Sequence, residues 1–175
     1  MAGQGQIDLY YGDESQFSSE GYVPYGWQFP EEKVCVLVEK GFKINALGLI
    51  SRQNACHWAT TDQNIDSQFI RSFLDNLSLN IRKETVVVLD NARVHAAKII
   101  QECIPTWQHR GLFILLLPPY SPHLNIAETL WRKLKKEWIN PQDYRTKDSL
   151  GYAVNRCMAN IGQEIVIKFS PFNLN

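Results

Sequence analysis

Thr85-Val86-Val87-Val88-Leu89 is the stretch that most narrows what this chain can become. A continuous run of β-branched and aliphatic residues has no polar face to turn to water, so it suits a strand covered on both sides. It ends at Asp90-Asn91. A second such run, Leu112-Phe113-Ile114-Leu115-Leu116-Leu117, follows after a helical stretch broken near Pro105. Strand, crossover helix and strand form the parallel unit of an α/β sheet.

The rest of the chain supplies elements to extend that sheet. Ile7 to Phe17 alternates, with Ile7, Leu9, Tyr11, Asp13 and Phe17 on one parity and Glu14 on the other. Two readings of Asp13 stay open. Either the strand ends near Gly12 and Asp13 is a turn residue, or Asp13 shares the apolar face, where a charge is costly unless neutralised. Residues 18 to 31, with Gly21-Tyr22-Val23-Pro24-Tyr25-Gly26-Trp27, read as an ordered loop because the aromatics need packing partners. Val34–Glu39 and Phe42–Ser51 read as strands joined at Lys40-Gly41, and His57–Thr61 as a further one; short strands this crowded suggest an antiparallel meander. Asp66 is placed to cap a helix whose Phe69, Ile70, Phe73, Leu74 and Leu77 recur at helical spacing to about Asn80. Another helix is expected from about Lys147 to Asn160, and Ile165 to Phe169 as an edge strand or docked tail. The fold class expected is therefore α/β, a mixed sheet with helices on its faces.

With 175 residues, 45% of them hydrophobic, the chain suits one domain with a sizeable core. A formal net charge of zero argues against a surface that grips nucleic acid all over, though a local basic face remains compatible. Cys35, Cys56, Cys103 and Cys157 form no C-x-x-C pair and read as reduced, cytosolic cysteines. No run has membrane-spanning length and the first residues are no signal peptide, which points to a cytoplasmic protein.

Three carboxylates draw attention. Ligands of open α/β sheets gather at the carboxyl ends of the strands. Asp90 stands at one such end, and Glu128 is carried past the other by the turn Pro118-Pro119-Tyr120-Ser121-Pro122. If the strand of Asp13 lies beside that of Asp90, all three acids can converge. They would then repel one another unless a cation joined them. Oxygen-only ligands favour Mg²⁺ or Mn²⁺, and two such ions about 4 Å apart can cut a phosphodiester. Structural roles compete. Asp90-Asn91 suits a strand-to-helix turn, Asn125-x-x-Glu128 suits a capping box, and Glu128 can pair with Arg132 at i+4. On a helical wheel Ile126, Leu130, Trp131, Leu134 and Trp138 form one stripe; Glu128 lies about 60° from Trp131, with Arg132 and Lys135 within about 40° of Glu128. Lys133 and Lys136 read as a solvated face. His95, five residues after Asp90, is expected on the first turn of a helix, able to support the site. His57, His109 and His123 have no evident partner, and neither a nucleophilic triad nor a Gly-rich phosphate loop is present.

Tyr11-Gly12-Asp13-Glu14-Ser15-Gln16-Phe17, Val88-Leu89-Asp90-Asn91-Ala92-Arg93-Val94-His95 and Leu117-Pro118-Pro119-Tyr120-Ser121-Pro122-His123-Leu124-Asn125-Ile126-Ala127-Glu128 together resemble the catalytic domain of mariner-like DDE transposases, specifically the bacterial insertion-sequence 630 branch. Pro24-Tyr25-Gly26-Trp27 resembles that branch too. The resemblance implies an RNase H-like fold, with a five-stranded mixed sheet and helices on both faces, over a single domain from 1 to 175. It implies the acid triad Asp13, Asp90 and Glu128 holding two divalent ions, Mg²⁺ or Mn²⁺. Asn91, His95, Asn125, Arg132 and Lys135 would support the site or touch DNA. The activity implied is cleavage at inverted-repeat ends followed by attack of the freed 3′-hydroxyl on target DNA, by a homodimer on DNA near the bacterial nucleoid. Asp90 and Glu128 are 38 positions apart, as in the bacterial branch. Two departures stand out. Many relatives have Asn-Pro-Ile-Glu where this chain has Asn125-Ile126-Ala127-Glu128, which removes a proline that preorganises the helix start. The helix-turn-helix region that relatives carry is absent, so an upstream frame is expected to encode it unless the chain is a truncated copy. The competing readings are a catalytically silent fragment and an RNase H-like nuclease without strand transfer.

Overall fold

In a computed structural model, which describes residues 6–19, 39, 41–119 and 121–170, the chain forms a five-stranded mixed sheet. Its strands are β1 (Asp8–Ser18), β2 (Lys43–Ile50), β3 (Cys56–Thr61), β4 (Thr85–Leu89) and β5 (Leu112–Leu116), in the spatial order β3-β2-β1-β4-β5. β1, β2 and β3 pair antiparallel, two of them the expected strands of the meander, while β4 and β5 join in parallel, β4 beside β1. The expected aromatic loop, the strand at 34–39 apart from Glu39, Cys35 and Tyr120 lie outside the described residues.

β4 is covered on both faces, as its lack of a polar face requires. Val88 belongs to one core cluster, with Tyr11, Phe17, Ala46 and Ile50. Val87 and Leu89 belong to the other, with Tyr10, Leu47 and Leu49. The helices divide accordingly. α1 (Ser67–Asn80), α2 (Lys98–Gln101) and α3 (Ile104–His109) pack Ile70, Leu74, Leu77, Ile100 and Trp107 on the second face. α4 (Ala127–Lys133) and α5 (Lys147–Asn160) pack Leu130, Trp131, Leu150, Val154 and Met158 on the first. Burying each large apolar side chain contributes about 1.5–3 kcal/mol, so two layers clamp the sheet between them.

Side-chain caps start two helices, the first of them as the sequence predicts. The Asp66 carboxylate accepts from the Phe69 N–H at 2.8 Å and starts α1, and the Thr146 hydroxyl accepts from the Ser149 N–H at 3.1 Å and starts α5. Ile165 to Phe169 docks as a tail: the Asn54 amide donates to the Ile167 carbonyl at 3.1 Å and its oxygen accepts from the Ile167 N–H at 2.6 Å. Two expectations change. The helix after β4 begins only at Lys98, because residues 93–96 form a turn; His95 therefore sits on that turn and not on a helix. The α-helical periodicity expected through Trp138 ends at Lys133, and Leu134–Trp138 is a π-helical turn closed by Ile139 N–H to Leu134 C=O at 3.0 Å.

Candidate active site

β1 continues to Ser18, so Asp13 is a strand residue and not the turn residue of the alternative reading. Its parity puts it on the face of Tyr11 and Phe17, the face covered by α4. The chain is tightly packed here. Gly48 is the β2 residue opposite Asp13, and a Cβ on Gly48 would lie 2.8 Å from the Trp131 ring. A glycine at this position therefore lets α4 come down onto the sheet beside Asp13. Gly12 is confined as well, since a Cβ there would meet Leu49 and Leu89 at 2.5 and 2.6 Å.

Asp13, Asp90 and Glu128 line one cavity of about 420 Å³, together with Asn91, Ala92, Leu117, Pro118, Pro119, Ser121 and Asn125. Each acid comes from a different element: mid-strand on β1, the residue after β4, and the first turn of α4. No lysine or arginine is among the described residues that line it. Burial, then the neighbouring Glu14 charge, then the Asp90 and Glu128 carboxylates push the Asp13 carboxyl up to about 7, against a hydrogen bond from the Glu14 N–H that lowers it.

Asn125 anchors the approach of α4 in a way the sequence does not announce. Its amide N–H₂ donates to the Gly12 carbonyl at 2.9 Å, and its amide oxygen accepts from the Ala127 N–H at 3.1 Å. The reciprocal capping box with Glu128 does not form, because Asn125 is spent on tying α4 to β1 next to Asp13. Glu128 is left exposed on the cavity wall, and among the described residues it has no ion pair with Arg132.

The basic residues separate. Arg132 lines a second cavity, of about 570 Å³, with His123, Lys133 and Lys168; Leu117 and Asn125 are common to the two cavities. Lys135 goes the other way. Its ammonium sits 5.2 Å from the centre of the Phe17 ring, half-buried, and burial lowers its pKa while the Asp13 charge raises it. Of the two cations expected beside Glu128, then, Lys135 turns toward the field of Asp13 and Arg132 lies over the neighbouring cavity.

His95 is fully buried. Its Nδ1 lies 2.7 Å from Asp90 Oδ1 and 3.1 Å from the Asp90 carbonyl, and its Nε2 lies 2.7 Å from Glu14 Oε1. Burial lowers the imidazole pKa, but the Glu14 hydrogen bond and charge and the Asp90 contacts outweigh it and raise the pKa to about 9. Asp90 Oδ1 also accepts from the Ala92 N–H at 3.1 Å. The sequence reading placed His95 near the site but missed Glu14, its partner 81 positions away. The only local hint was that Glu14 faces away from Asp13.

The donor chemistry suits an oxygen-seeking divalent cation: carboxylates only, with Asp90 and Glu128 close enough to raise the proton affinity of Asp13. Among the described residues no three such side chains are gathered tightly enough to enclose an ion as they stand. No described helix is long and apolar enough to cross a membrane.

Solved structures share this arrangement of strands. The chain is similar to the Mos1 mariner transposase in its paired end complex with Mn (16% identity, TM-score 0.65, over 86% of this chain and 48% of that one). It is similar to the isolated Mos1 catalytic domain (12%, 0.56, over 86% and 69%). It is also similar to the HTLV-2 integrase catalytic core domain in complex with magnesium (14%, 0.56, over 91% and 88%). The fold is thus RNase H-like. The chain spans about half the length of the Mos1 chains in the paired end complexes. No curated protein matches it. A family model covers β1 through the start of α5, residues 8–151, and by that match the chain belongs to the family of DDE superfamily endonucleases.

Proposed function

We propose that this chain is the catalytic domain of a DNA transposase, which hydrolyses the phosphodiester at an element end and then passes the freed 3′-hydroxyl into target DNA. The observation that carries this is the cavity in which Asp13, Asp90 and Glu128 meet without a lysine or arginine in the described lining. Mg²⁺ or Mn²⁺, as two ions, would supply Lewis-acid polarisation of the phosphate and a more acidic attacking water or hydroxyl. Asp13 and Asp90 would hold them from the sheet, and Glu128 would complete the set from the start of α4. Asn125 keeps that helix in place through Gly12. Asn91 lines the same cavity and would contact a substrate phosphate. Lys135 offers a positive charge near Asp13, and Arg132, His123 and Lys168 offer a basic path for the DNA backbone beyond the acids. The printed contexts of the similar structures, transposon ends and Mn for Mos1 and a magnesium-bound dimeric integrase core, support DNA as substrate and a divalent cofactor, and the last is compatible with a homodimer. A helix-turn-helix segment would read the element ends, as in the bacterial branch the three motifs resemble.

The test is Mn²⁺-dependent nicking of supercoiled DNA by the purified chain, followed by joining of a pre-cut 3′-hydroxyl end to a plasmid. Nicking and joining, both lost in Asp90→Asn and Glu128→Gln, is the expected result. Nicking without joining would select the nuclease reading, and DNA binding without either the silent fragment. Full activity in either variant would refute the assignment of the acids.

A further inference from the structure

Asp90 has two carboxylate oxygens, and the fold treats them differently. Oδ1 receives the Ala92 N–H and lies 2.7 Å from His95 Nδ1. Oδ2 has no hydrogen bond among the described residues. His95 is fixed in turn by Glu14, which reaches it from the face of β1 opposite Asp13. Nδ1 faces both the Asp90 carbonyl, which only accepts, and Asp90 Oδ1, so the ring presents its Nδ1–H to Asp90. Adjacent residues of one strand thus serve two purposes. Asp13 faces the cavity, and Glu14 holds the histidine that holds Asp90.

We propose that Glu14 and His95 form a positioning clamp for Asp90: His95 engages Oδ1 and leaves Oδ2 as the oxygen presented to a divalent cation. The clamp rests on the reading of the acid cavity as a cation site and goes beyond it by assigning Glu14 and His95, neither of which lines that cavity. It has a physical rationale. A carboxylate on the residue just after a strand can rotate about two side-chain bonds, and ordering it on cation binding costs conformational entropy. Outer partners that fix a ligand in advance typically change metal affinity by about 10–100-fold.

The experiment titrates Mn²⁺ alone into the metal-free chain, by calorimetry or by the spin-resonance signal of free Mn²⁺, with thermal melts alongside. His95→Asn places an amide donor near the Nδ1 position and keeps the hold on Asp90, while His95→Gln reaches toward Glu14 and releases Asp90. The expected result is Mn²⁺ affinity within about threefold of wild type for His95→Asn and about tenfold or more weaker for His95→Gln, at similar melting temperatures. Glu14→Gln, which keeps the shape but removes the charge that fixes the ring, is expected to lie between them. Wild-type affinity in His95→Gln, or equal losses in all three variants that merely track melting temperature, would overturn the clamp. Should His95→Gln not fold, Glu14→Gln decides alone, with unchanged Mn²⁺ affinity overturning the proposal. Asp90→Asn separates the two claims. If it binds Mn²⁺ like wild type, the cation-site reading itself fails, whereas normal binding in His95→Gln with loss in Asp90→Asn sinks the clamp only.

Discussion

β1 carries two aspartates, one at its start and one in its middle, and their surroundings differ. Asp8, at the start of the strand, pairs with Lys83 at 2.8 Å on the rim of a cavity of about 900 Å³, larger than the acid cavity and lined by Tyr10, His57, Phe69 and Phe73. Asp13, five residues on, is surrounded by other acids and holds its proton up to about pH 7. At the first the chain supplies its own counter-charge. At the second it supplies repulsion. Cavity size points to the wrong end of the sheet, and unresolved charge points to the chemistry.

The largest test of that contrast is removal of one acid from each end. Asp90→Asn or Glu128→Gln is expected to cost about a thousandfold or more in Mn²⁺-dependent nicking, several kcal/mol of transition-state stabilisation. Asp8→Asn is expected to leave the rate within about twofold of wild type, as read from plasmid-nicking time courses.

Packing beneath the acids comes next. Gly48→Leu would drive a side chain into Trp131, with an expected cost of about 1–3 kcal/mol. A melting temperature lower by several degrees is expected, along with weaker Mn²⁺ binding, because α4 and its Glu128 are lifted from Asp13. Thermal melts with and without Mn²⁺ check both. Normal Mn²⁺ binding in this variant would show that the approach of α4 does not set the site.

The third prediction concerns pH. The folded-state pKa of Asp13 is raised from 3.8 to about 7, so folding favours its protonated form. Its contribution to stability is therefore complete below about pH 4 and is lost as pH rises through about 7. Metal-free protein should lose stability across that window more steeply than Asp13→Asn, as measured by denaturant melts at a series of pH values. Saturating Mn²⁺ should flatten the difference, because a bound cation offsets the repulsion.

The smallest effect is expected at the quiet end. The Lys83–Asp8 pair is well exposed on both sides, and such pairs contribute about 0–1 kcal/mol. Asp8→Asn should shift the melting temperature by no more than a degree or two at moderate salt. A larger loss would mean that this end of the sheet does more than close the fold.

Much of the architecture was legible because it depends on short-range chemistry. The two-faced burial of β4 followed from its missing polar side and the start of α1 from one capping aspartate, and α5 runs from Lys147 to Asn160 as expected. The three acids were legible for the same reason. Parity put Asp13 on the face of Tyr11 and Phe17, and a strand end marked Asp90. Other features were not. Asn125 looked like the partner of Glu128 three residues on, yet its amide goes to Gly12, 113 positions away. Arg132 and Lys135 looked like neighbours on a wheel, yet Arg132 lines the second cavity while Lys135 lies over the Phe17 ring.

The sequence by itself determined the α/β class, the element order and which acids could meet, since strand parity, caps and apolar runs act within a few residues of themselves. Only the tertiary structure decided how those acids are held. The clasp of Glu14 on His95, the hold of Asn125 on Gly12 and the seat of Trp131 on Gly48 each join residues 81 or more positions apart. Such contacts exist only once the sheet has brought β1, β2 and β4 side by side, and no local pattern encodes them.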